Sequence, residues 1–291
     1  TNSARAPVLM WASAAGGLGE GNTFTGNAEE NLEVRAGTVL GGDISFSQTW
    51  LSQPIPYRMV NEGGLGINGA ATPTLTLMPG TAFLMDPDFE IRIAKAHLVA
   101  EGALEDPITF EPTVQGQPWR GIRFEGSGTV VPTSTLRHVV LDGGGGSSPG
   151  PEAATLEIYA PNGTEEHGPV LDAVTISNSS AYGLWVRVTE ADETPLRASK
   201  LTVTGSERAP MRLWASAVGG FAEGNILTGN ADDAIEVIAT GLGGRLWFDA
   251  TWRAQSVPYR LLNTLTVSHA RSPVLTIAPG TTVEMTTTVG F

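Results

Sequence analysis

The chain has no cysteine, few charged residues and no long apolar run. Without cysteine, its 291 residues can form neither disulfides nor thiolate metal sites. Charged residues make up only 16%, and lysine occurs just twice, so the sequence lacks the Lys- and Glu-rich composition of a helical protein. No apolar stretch approaches the roughly 20 residues that a membrane-spanning helix requires. We therefore expect no membrane insertion, and no signal peptide is visible.

The acidic balance of the chain limits the partners that it can bind. There are 17 basic and 30 acidic residues, which gives a formal net charge of −13. A surface of that sign repels phosphate backbones, which proteins bind mainly through Lys and Arg. We therefore expect no nucleic-acid partner. The scarcity of lysine, with Thr, Ser, Asn and Gly at the polar positions, indicates an extracellular or cell-surface location.

Turn-forming residues are abundant, with 36 glycines and 19 prolines. Short apolar segments such as 75–77 and 108–110 recur at roughly 8–15 residues, which is the spacing of an all-β chain with no room for crossover helices. Longer apolar segments at 136–141 and 170–176 also predict strands. Between them, residues 143–168 are polar and rich in glycine, and they predict a single long loop that leaves the coil.

An internal repeat covers most of the chain. Trp-Ala-Ser-Ala at 11–14 returns at 214–217, an offset of 203 residues, and Leu-Thr-Leu-Met-Pro-Gly-Thr at 75–81 returns in similar form at 275–281. We therefore predict one module over residues 1–203, which includes the loop at 143–168, and a partial second copy over 204–291 in the same solenoid. A site that every module needs should occur in both copies.

Several strings of the first module resemble those of a known family. They are Leu-Thr-Leu-Met-Pro-Gly-Thr at 75–81, Asp-Pro-Ile-Thr-Phe at 106–110 and Trp-Arg-Gly-Ile-Arg-Phe at 119–124. These strings resemble bacterial secreted and cell-surface right-handed parallel β-helix proteins. The resemblance implies an all-β, right-handed parallel β-helix, a solenoid with apolar ladders inside. It implies little about activity, because this fold carries polysaccharide lyases, hydrolases, adhesins and inert surface proteins.

Three acidic residues alternate in the segment 86–90. If the segment were extended, Asp86, Asp88 and Glu90 would lie on one side of a strand, about 7 Å apart. Carboxylates at that spacing could bind Ca²⁺ through Asp86 and Asp88, or all three could serve catalysis in a glycan-cleaving enzyme. The second copy does not repeat the cluster. We favour a solvated acidic turn with no cofactor, and calcium binding or catalysis stays as the alternative.

A second acidic cluster occurs in both copies. Residues 29–30 (Glu-Glu) match 232–233 (Asp-Asp), and Glu33 matches Glu236. A calcium site and a solvated corner that discourages strand pairing both fit this pattern, and we favour the corner. The histidines share no position between the copies and no spacing typical of metal ligands: His97, His138, His167 and His269.

Two repeated aromatic motifs are the best candidates for carbohydrate binding. Trp50 and Trp252 are each followed by a Pro-Tyr-Arg string, which ends in Arg58 or Arg260. A tryptophan beside an arginine could form a platform on which a sugar stacks. The ring could equally fill the interior of a coil, and we favour that interpretation. Both interpretations stay open for the tryptophans found in one copy only: Trp119, Trp185 and Trp247.

Three classes of function follow from these observations. The long duplication and the lack of a repeated catalytic cluster favour a structural or adhesive segment of a large bacterial surface or secreted protein. Residues 1–7 match the internal segment 204–210, so we expect a piece of a longer repeat protein or a unit that stacks end to end into filaments. Its partners would be neighbouring modules, other copies of itself or a surface polysaccharide.

The alternative is a polysaccharide lyase or glycoside hydrolase that acts on an extracellular glycan. The third class is an ice- or crystal-binding face built from threonines such as Thr74, Thr76 and Thr286.

Overall fold

The computed structural model describes residues 2–37, 42–60, 63–126, 134–146, 153–160, 168–188, 196–239, 244–268 and 272–285. Within these ranges two short helical segments occur, α1 (Ala12–Ala15) and a 3₁₀ turn (Ala215–Gly220), and neither has the length needed to span a membrane. The strands, in chain order, are β1 (Val8–Trp11), β2 (Leu32–Arg35), β3 (Gln48–Trp50), β4 (Tyr57–Val60), β5 (Leu65–Ile67), β6 (Thr74–Leu77), β7 (Ala82–Met85), β8 (Glu90–Ala94), β9 (His97–Glu101), β10 (Ile108–Pro112), β11 (Gly121–Glu125), β12 (Thr135–Arg137), β13 (Val139–Asp142), β14 (Ala154–Ala160), β15 (Val170–Asp172), β16 (Thr175–Ser177), β17 (Tyr182–Val188), β18 (Arg197–Ser199), β19 (Thr202–Thr204), β20 (Met211–Trp214), β21 (Ile235–Ile238), β22 (Arg245–Leu246), β23 (Ala250–Trp252), β24 (Tyr259–Leu261), β25 (Thr266–Val267), β26 (Leu275–Ile277) and β27 (Val283–Met285).

Twenty-three of these strands stack in parallel into three long sheets, and the other four form two short parallel pairs, β22–β25 and β23–β26. Sheet A has eight strands in the order β1-β2-β4-β7-β10-β13-β16-β19, and sheet B has nine in the order β5-β8-β11-β14-β17-β20-β21-β24-β27. Sheet C has six, in the order β3-β6-β9-β12-β15-β18. From β3 to β20, successive strands visit the three sheets in turn, so the chain forms a parallel β-solenoid of about nine turns. The predicted all-β parallel solenoid is therefore confirmed.

Apolar side chains on alternate strand positions fill the interior. An aromatic ladder runs through the first turns, where Tyr57, Phe83 and Phe110 stack at ring-centroid separations of 5.7 and 4.6 Å. Trp50 and Trp119 extend it, at 5.4 Å from Tyr57 and 6.1 Å from Phe110 respectively. Aromatic pairs at such distances each contribute about 0.5–1.5 kcal/mol beyond the burial of their area. Buried apolar side chains from Ala12 to Leu265 form one continuous core cluster.

Two predicted strands are each divided by a corner. The segment 136–141 forms β12 and β13, because His138 adopts a left-handed conformation with a φ of 46°. The segment 170–176 forms β15 and β16 around Ala173, whose φ is 53°. A single left-handed residue turns the chain from sheet C to sheet A, and the apolar pattern continues across it. Hydrophobicity alone therefore does not reveal these corners.

The predicted loop at 143–168 is wrong in its central part. Residues Ala154–Ala160 form β14, which pairs with β11 and β17 inside sheet B. Leu156 and Ile158 of this strand are buried in the core. The glycines at 143–146 lie close against the coil, since a Cβ on Gly146 would come within 2.7 Å of the Pro118 carbonyl. Residues 147–152 and 161–167 lie outside the described part of the chain.

The two copies of the repeat lie on different sheets. β1 and β2 pair in sheet A, whereas β20 and β21, found 203 residues later, pair in sheet B. The pair β4–β7 and its counterpart β24–β27 differ in the same way. β1 and β19 are the first and the eighth strand of sheet A, so they are seven turns apart. β20, the counterpart of β1, follows β19 directly and lies in sheet B. The repeat therefore spans about seven turns plus one face of the solenoid. Equivalent outer residues of the two copies therefore face different sides of the solenoid.

Candidate functional site

A groove runs across the outer surface of sheet A over its first four strands. Parallel pairing aligns Trp11 with Arg35 and Val60 in one outer row, and Glu33 with Arg58 in the next. The groove has a volume of about 360 Å³. Its lining, which we call the sheet-A groove, is formed by Arg5, Trp11, Glu33, Arg35, Ala36, Arg58, Val60 and Asp86. Three guanidinium groups and two carboxylates thus meet around one tryptophan.

Arg58 forms the floor of the groove through contacts with neighbouring turns. Its Nε donates to Asp86 Oδ1 at 3.0 Å, and its Nη1 donates to Glu29 Oε2 at 3.4 Å. Burial by itself would lower the pKa of Arg58, but the hydrogen bond to Asp86 and the charges of Asp86, Glu29 and Glu33 raise it above its ordinary value. Arg58 is therefore a fixed cation that links successive turns.

Three other groove residues, Arg5, Arg35 and Trp11, are exposed to solvent. Arg5 and Arg35 are exposed, and neither makes a side-chain hydrogen bond or an ion pair with any residue that the structure describes. Trp11 keeps 39% of its surface exposed. Within the same described part, the carboxylate of Glu33 also has no hydrogen bond or ion pair. The groove therefore offers free donors, a free acceptor and an aromatic face together.

Trp50 and Trp252 do not contribute to such a surface. Both side chains are fully buried, and each ring lies 5.4 Å from the tyrosine that follows it, Tyr57 or Tyr259. Trp50 Nε1 donates to Gln48 Oε1 at 3.1 Å, which satisfies its polar end. Neither ring has an exposed face on which a sugar could stack.

Arg260 repeats the linking role of Arg58 on sheet B. Its Nη1 donates to Asp232 and its Nε donates to Glu284 Oε2 at 3.0 Å. The hydrogen bond to Asp232 and that to Glu284 raise the pKa of Arg260, which burial only partly opposes. The repeated arginine of the Pro-Tyr-Arg motif thus holds acidic residues of the turns before and after it.

The expected alignment of Asp86, Asp88 and Glu90 on one strand is wrong. β7 ends at Met85 in sheet A and β8 begins at Glu90 in sheet B, and a corner lies between them. Asp88 has a φ of 61°, and the Phe89 N–H donates to the Asp86 carbonyl at 3.1 Å. Asp86 therefore belongs to the sheet-A groove while Glu90 faces another side. Pro87, which favours a turn, is the sequence signal for this corner.

In the second copy, the acidic corner at residues 232–233 accepts hydrogen bonds from the backbone. The Asn230 N–H donates to Asp233 Oδ1 at 2.9 Å, and the Gly229 N–H donates to Oδ2 at 3.2 Å. The bond from Asn230 is the main reason that the pKa of Asp233 is lowered. Among the described residues, no group of three or more His, Asp or Glu is arranged to hold a metal ion.

The remaining predicted residues lie apart from one another. His97 is buried in sheet C, His138 forms a corner, and His167 and His269 lie outside the described residues. On sheet C, the outer residue Thr76 pairs with Thr49 on one side and with Val99 on the other. A threonine array therefore ends after two turns at this position. Thr286 lies outside the described residues.

A second arginine cluster, on sheet B, is closed by its own contacts. The Arg187 guanidinium lies 3.8 Å from the ring centre of Trp185 and 4.3 Å from that of Tyr159. Arg187 Nη2 also donates to Glu157 Oε1 at 2.8 Å, and Arg123 Nη1 lies 3.5 Å from Glu157 Oε2. With its charges paired and Trp185 only 3% exposed, this cluster offers less to a ligand than the sheet-A groove does.

Sequence reasoning missed Arg5 and Arg35 as groove residues. Arg5 could have been found, since it repeats as Arg208 at the same offset of 203 as Trp11 and Trp214. Arg35 could not have been found in this way, because Ile238 takes its place in the second copy and we looked for sites that occur in both copies.

No protein-family model, no curated protein and no solved structure matches this chain.

Proposed function

We propose that the chain is a structural or adhesive segment of a large bacterial surface or secreted protein, and that its sheet-A groove binds an acidic polysaccharide. The observation that carries this proposal is the exposed Trp11 between Arg5 and Arg35, two arginines without an ion-pair partner in the described part of the chain. The solenoid holds Trp11 and Arg35 on adjacent paired strands, so little order has to be gained there when a ligand binds.

The chemistry of the groove fits a sugar that carries a carboxylate. A guanidinium binds a carboxylate through two parallel hydrogen bonds, and the flat ring of Trp11 can pack against a sugar face. The carboxylate of Glu33, which accepts no hydrogen bond from any residue that the structure describes, can accept hydrogen bonds from sugar hydroxyls. The groove lining carries three arginines and two carboxylates in a chain whose net charge is −13, so it is locally cationic in an acidic molecule.

A matched pair of tryptophan variants tests this proposal. Trp11→Ala removes the exposed aromatic face and should weaken binding of a short homo-oligouronide by about tenfold or more, since stacking of this kind contributes roughly 1–3 kcal/mol. Trp214→Ala changes the equivalent residue of the second copy and should leave the affinity unchanged. Isothermal titration measures both. Equal losses in the two variants, or no binding by the unmodified protein, would overturn the proposal.

We also propose that the solenoid stacks on another coil through an apolar end face. Val267, Ile277 and Met285 are 38%, 43% and 51% exposed, whereas their counterparts in the first copy are 0–2% exposed. Those counterparts, Ile67, Leu77 and Met85, are covered by the next turn of the solenoid, where they pair with Ile93, Ala100 and Pro112. The same face would be covered by a neighbouring module of a longer chain or, for this chain alone, by a second copy.

Sedimentation at increasing concentration tests the stacking. The protein should associate through this face, and Met285→Glu should shift it toward the monomer, because a buried charge without a partner is unfavourable. Leu104→Glu is the matched control, since Leu104 is 77% exposed away from this face and its substitution should have no effect. A protein that stays monomeric at high concentration would contradict this part of the proposal.

A further inference from the structure

We propose that Arg35 determines ligand binding in the sheet-A groove, and that sheet B carries a silent second copy of the groove in which Ile238 replaces Arg35. This inference rests on the proposed polysaccharide binding. It adds a second site, on another side of the molecule, and identifies the residue that separates an active groove from an inactive one.

The framework of the groove is duplicated almost completely. Five of its eight lining residues recur with the same identity, at offsets of 202 or 203 residues. These pairs are Arg5 and Arg208, Trp11 and Trp214, Glu33 and Glu236, Ala36 and Ala239, and Arg58 and Arg260. Val60 becomes Leu262, which is a conservative change. A change of chemical class occurs at two positions: Arg35 becomes Ile238, and Asp86 becomes Thr286, which lies outside the described residues.

The second framework has the same strand geometry as the first. Trp214 pairs with Ile238, as Trp11 pairs with Arg35, and Glu236 pairs with Arg260, as Glu33 pairs with Arg58. Because the repeat spans about seven turns plus one face, these residues lie on sheet B instead of sheet A. A short ligand cannot contact both faces at once, so the two grooves would bind separate ligands.

Two differences make the second groove silent. Ile238 has no hydrogen-bond donor, so the carboxylate of a sugar would lose its arginine partner there. The acceptor is also occupied: the Tyr182 hydroxyl donates to Glu236 Oε2 at 2.9 Å, and Arg212 Nε lies 3.7 Å from the same oxygen. In the first copy the position of Arg212 is held by Leu9, and Glu33 is open to a ligand.

Arg208 is also engaged, in contrast to Arg5. Its guanidinium carbon lies 5.3 Å from the centre of the Tyr182 ring, and Arg212 lies 5.5 Å from the same ring. β17, which carries Tyr182, stacks directly on β20 and so brings this tyrosine beside the second framework. Tyr182 and Arg212 thus occupy the donors and the acceptor that the first groove leaves free.

Reciprocal exchange of these residues provides the test. Arg35→Ile gives the first groove the residue that the second has at this position. The triple variant Tyr182→Phe, Arg212→Leu and Ile238→Arg gives the second groove the arginine of the first and removes the hydrogen bond and the ion pair to Glu236, and it leaves the formal net charge at −13. All of these side chains except that of Tyr182 lie on outer positions that are not fully buried, and thermal unfolding confirms that each variant is folded. Isothermal titration with a short homo-oligouronide gives the number of ligands bound per chain.

The expected stoichiometry changes in both directions. The unmodified protein should bind one oligouronide per chain, Arg35→Ile should lose affinity by about tenfold or more, and the triple variant should bind two ligands per chain. A triple variant that is folded and binds only one ligand would overturn the inference and leave the proposed function intact. Full binding by Arg35→Ile would also overturn it. No binding by the unmodified protein would instead reject the proposed function itself.

Discussion

Two buried tyrosines show how single residues of the repeat connect core and corner. Tyr57 and Tyr259 are each 1% exposed, and their hydroxyls donate to the carbonyls of Leu51 and Arg253 at 2.8 and 2.9 Å. Burial raises the pKa of each phenol to about 12. The neutral phenol is therefore strongly favoured in the folded chain, and its hydrogen bond closes the loop that leads into the next strand.

This pKa shift predicts instability at alkaline pH. The ordinary tyrosine pKa is near 10, so the raised value in the fold leaves stability intact below about pH 10. Stability should then fall as the pH rises from about 10 to about 12, by roughly 2–3 kcal/mol for each tyrosine. The double variant Tyr57→Phe and Tyr259→Phe should lose part of this pH dependence, at the cost of about 1 kcal/mol per lost hydrogen bond.

Denaturant unfolding at a series of pH values measures the effect. Some slope should persist in the double variant, because burial also raises the pKa of Tyr182. If the unmodified protein and the double variant lose stability in parallel above pH 10, ionisation of Tyr57 and Tyr259 is not the cause.

Among the elements, strands were easier to predict than corners. The segments 75–77 and 108–110 alternate apolar and polar residues, and they form parts of β6 and β10 as expected. Alternation works here because one strand face is buried and the other is not. The corners at His138 and Ala173 have ordinary residues with positive φ, and their side chains follow no turn-forming pattern. Their conformation is imposed by the stacking of turns above and below.

β14 shows how composition can hide an element. The strand lies between Gly143–Gly146 and the polar residues that follow position 160, so it was included in a predicted loop. Its seven residues nevertheless place Leu156 and Ile158 in the core and pair with both neighbouring strands. In a solenoid, every turn needs a strand in each sheet. A search of the sequence for local patterns does not take that requirement into account.

At the scale of the whole molecule, turn length decides which residues form a site. Arg58 and Asp86 were considered for two unrelated sites, yet they are joined by a 3.0 Å hydrogen bond across 28 residues. The sequence does not state how many residues complete one turn, so it cannot bring this pair together. Conversely, Asp86 and Glu90 are four residues apart and lie on different faces, because a corner separates them.

The duplication also has a consequence for the shape of the binding surface. Because the repeat spans about seven turns plus one face, successive modules present equivalent residues on successive sides of the solenoid. A longer array of the same repeat would then place equivalent grooves around the axis instead of along one edge. Under the proposed function, only the copies with arginine at the position of Arg35 would bind a polysaccharide.

The measurement that tests the account most directly is one incubation of the protein with acidic polysaccharides and their methyl esters, with and without calcium. Retention on the acid forms, weaker retention on the esters and no new chain ends are the predicted results, because in the proposed binding mode the guanidinium groups of Arg5 and Arg35 pair with a carboxylate. New chain ends would instead identify a lyase or hydrolase. Equal retention on acid and ester, or none at all, would contradict the binding role assigned to the sheet-A groove.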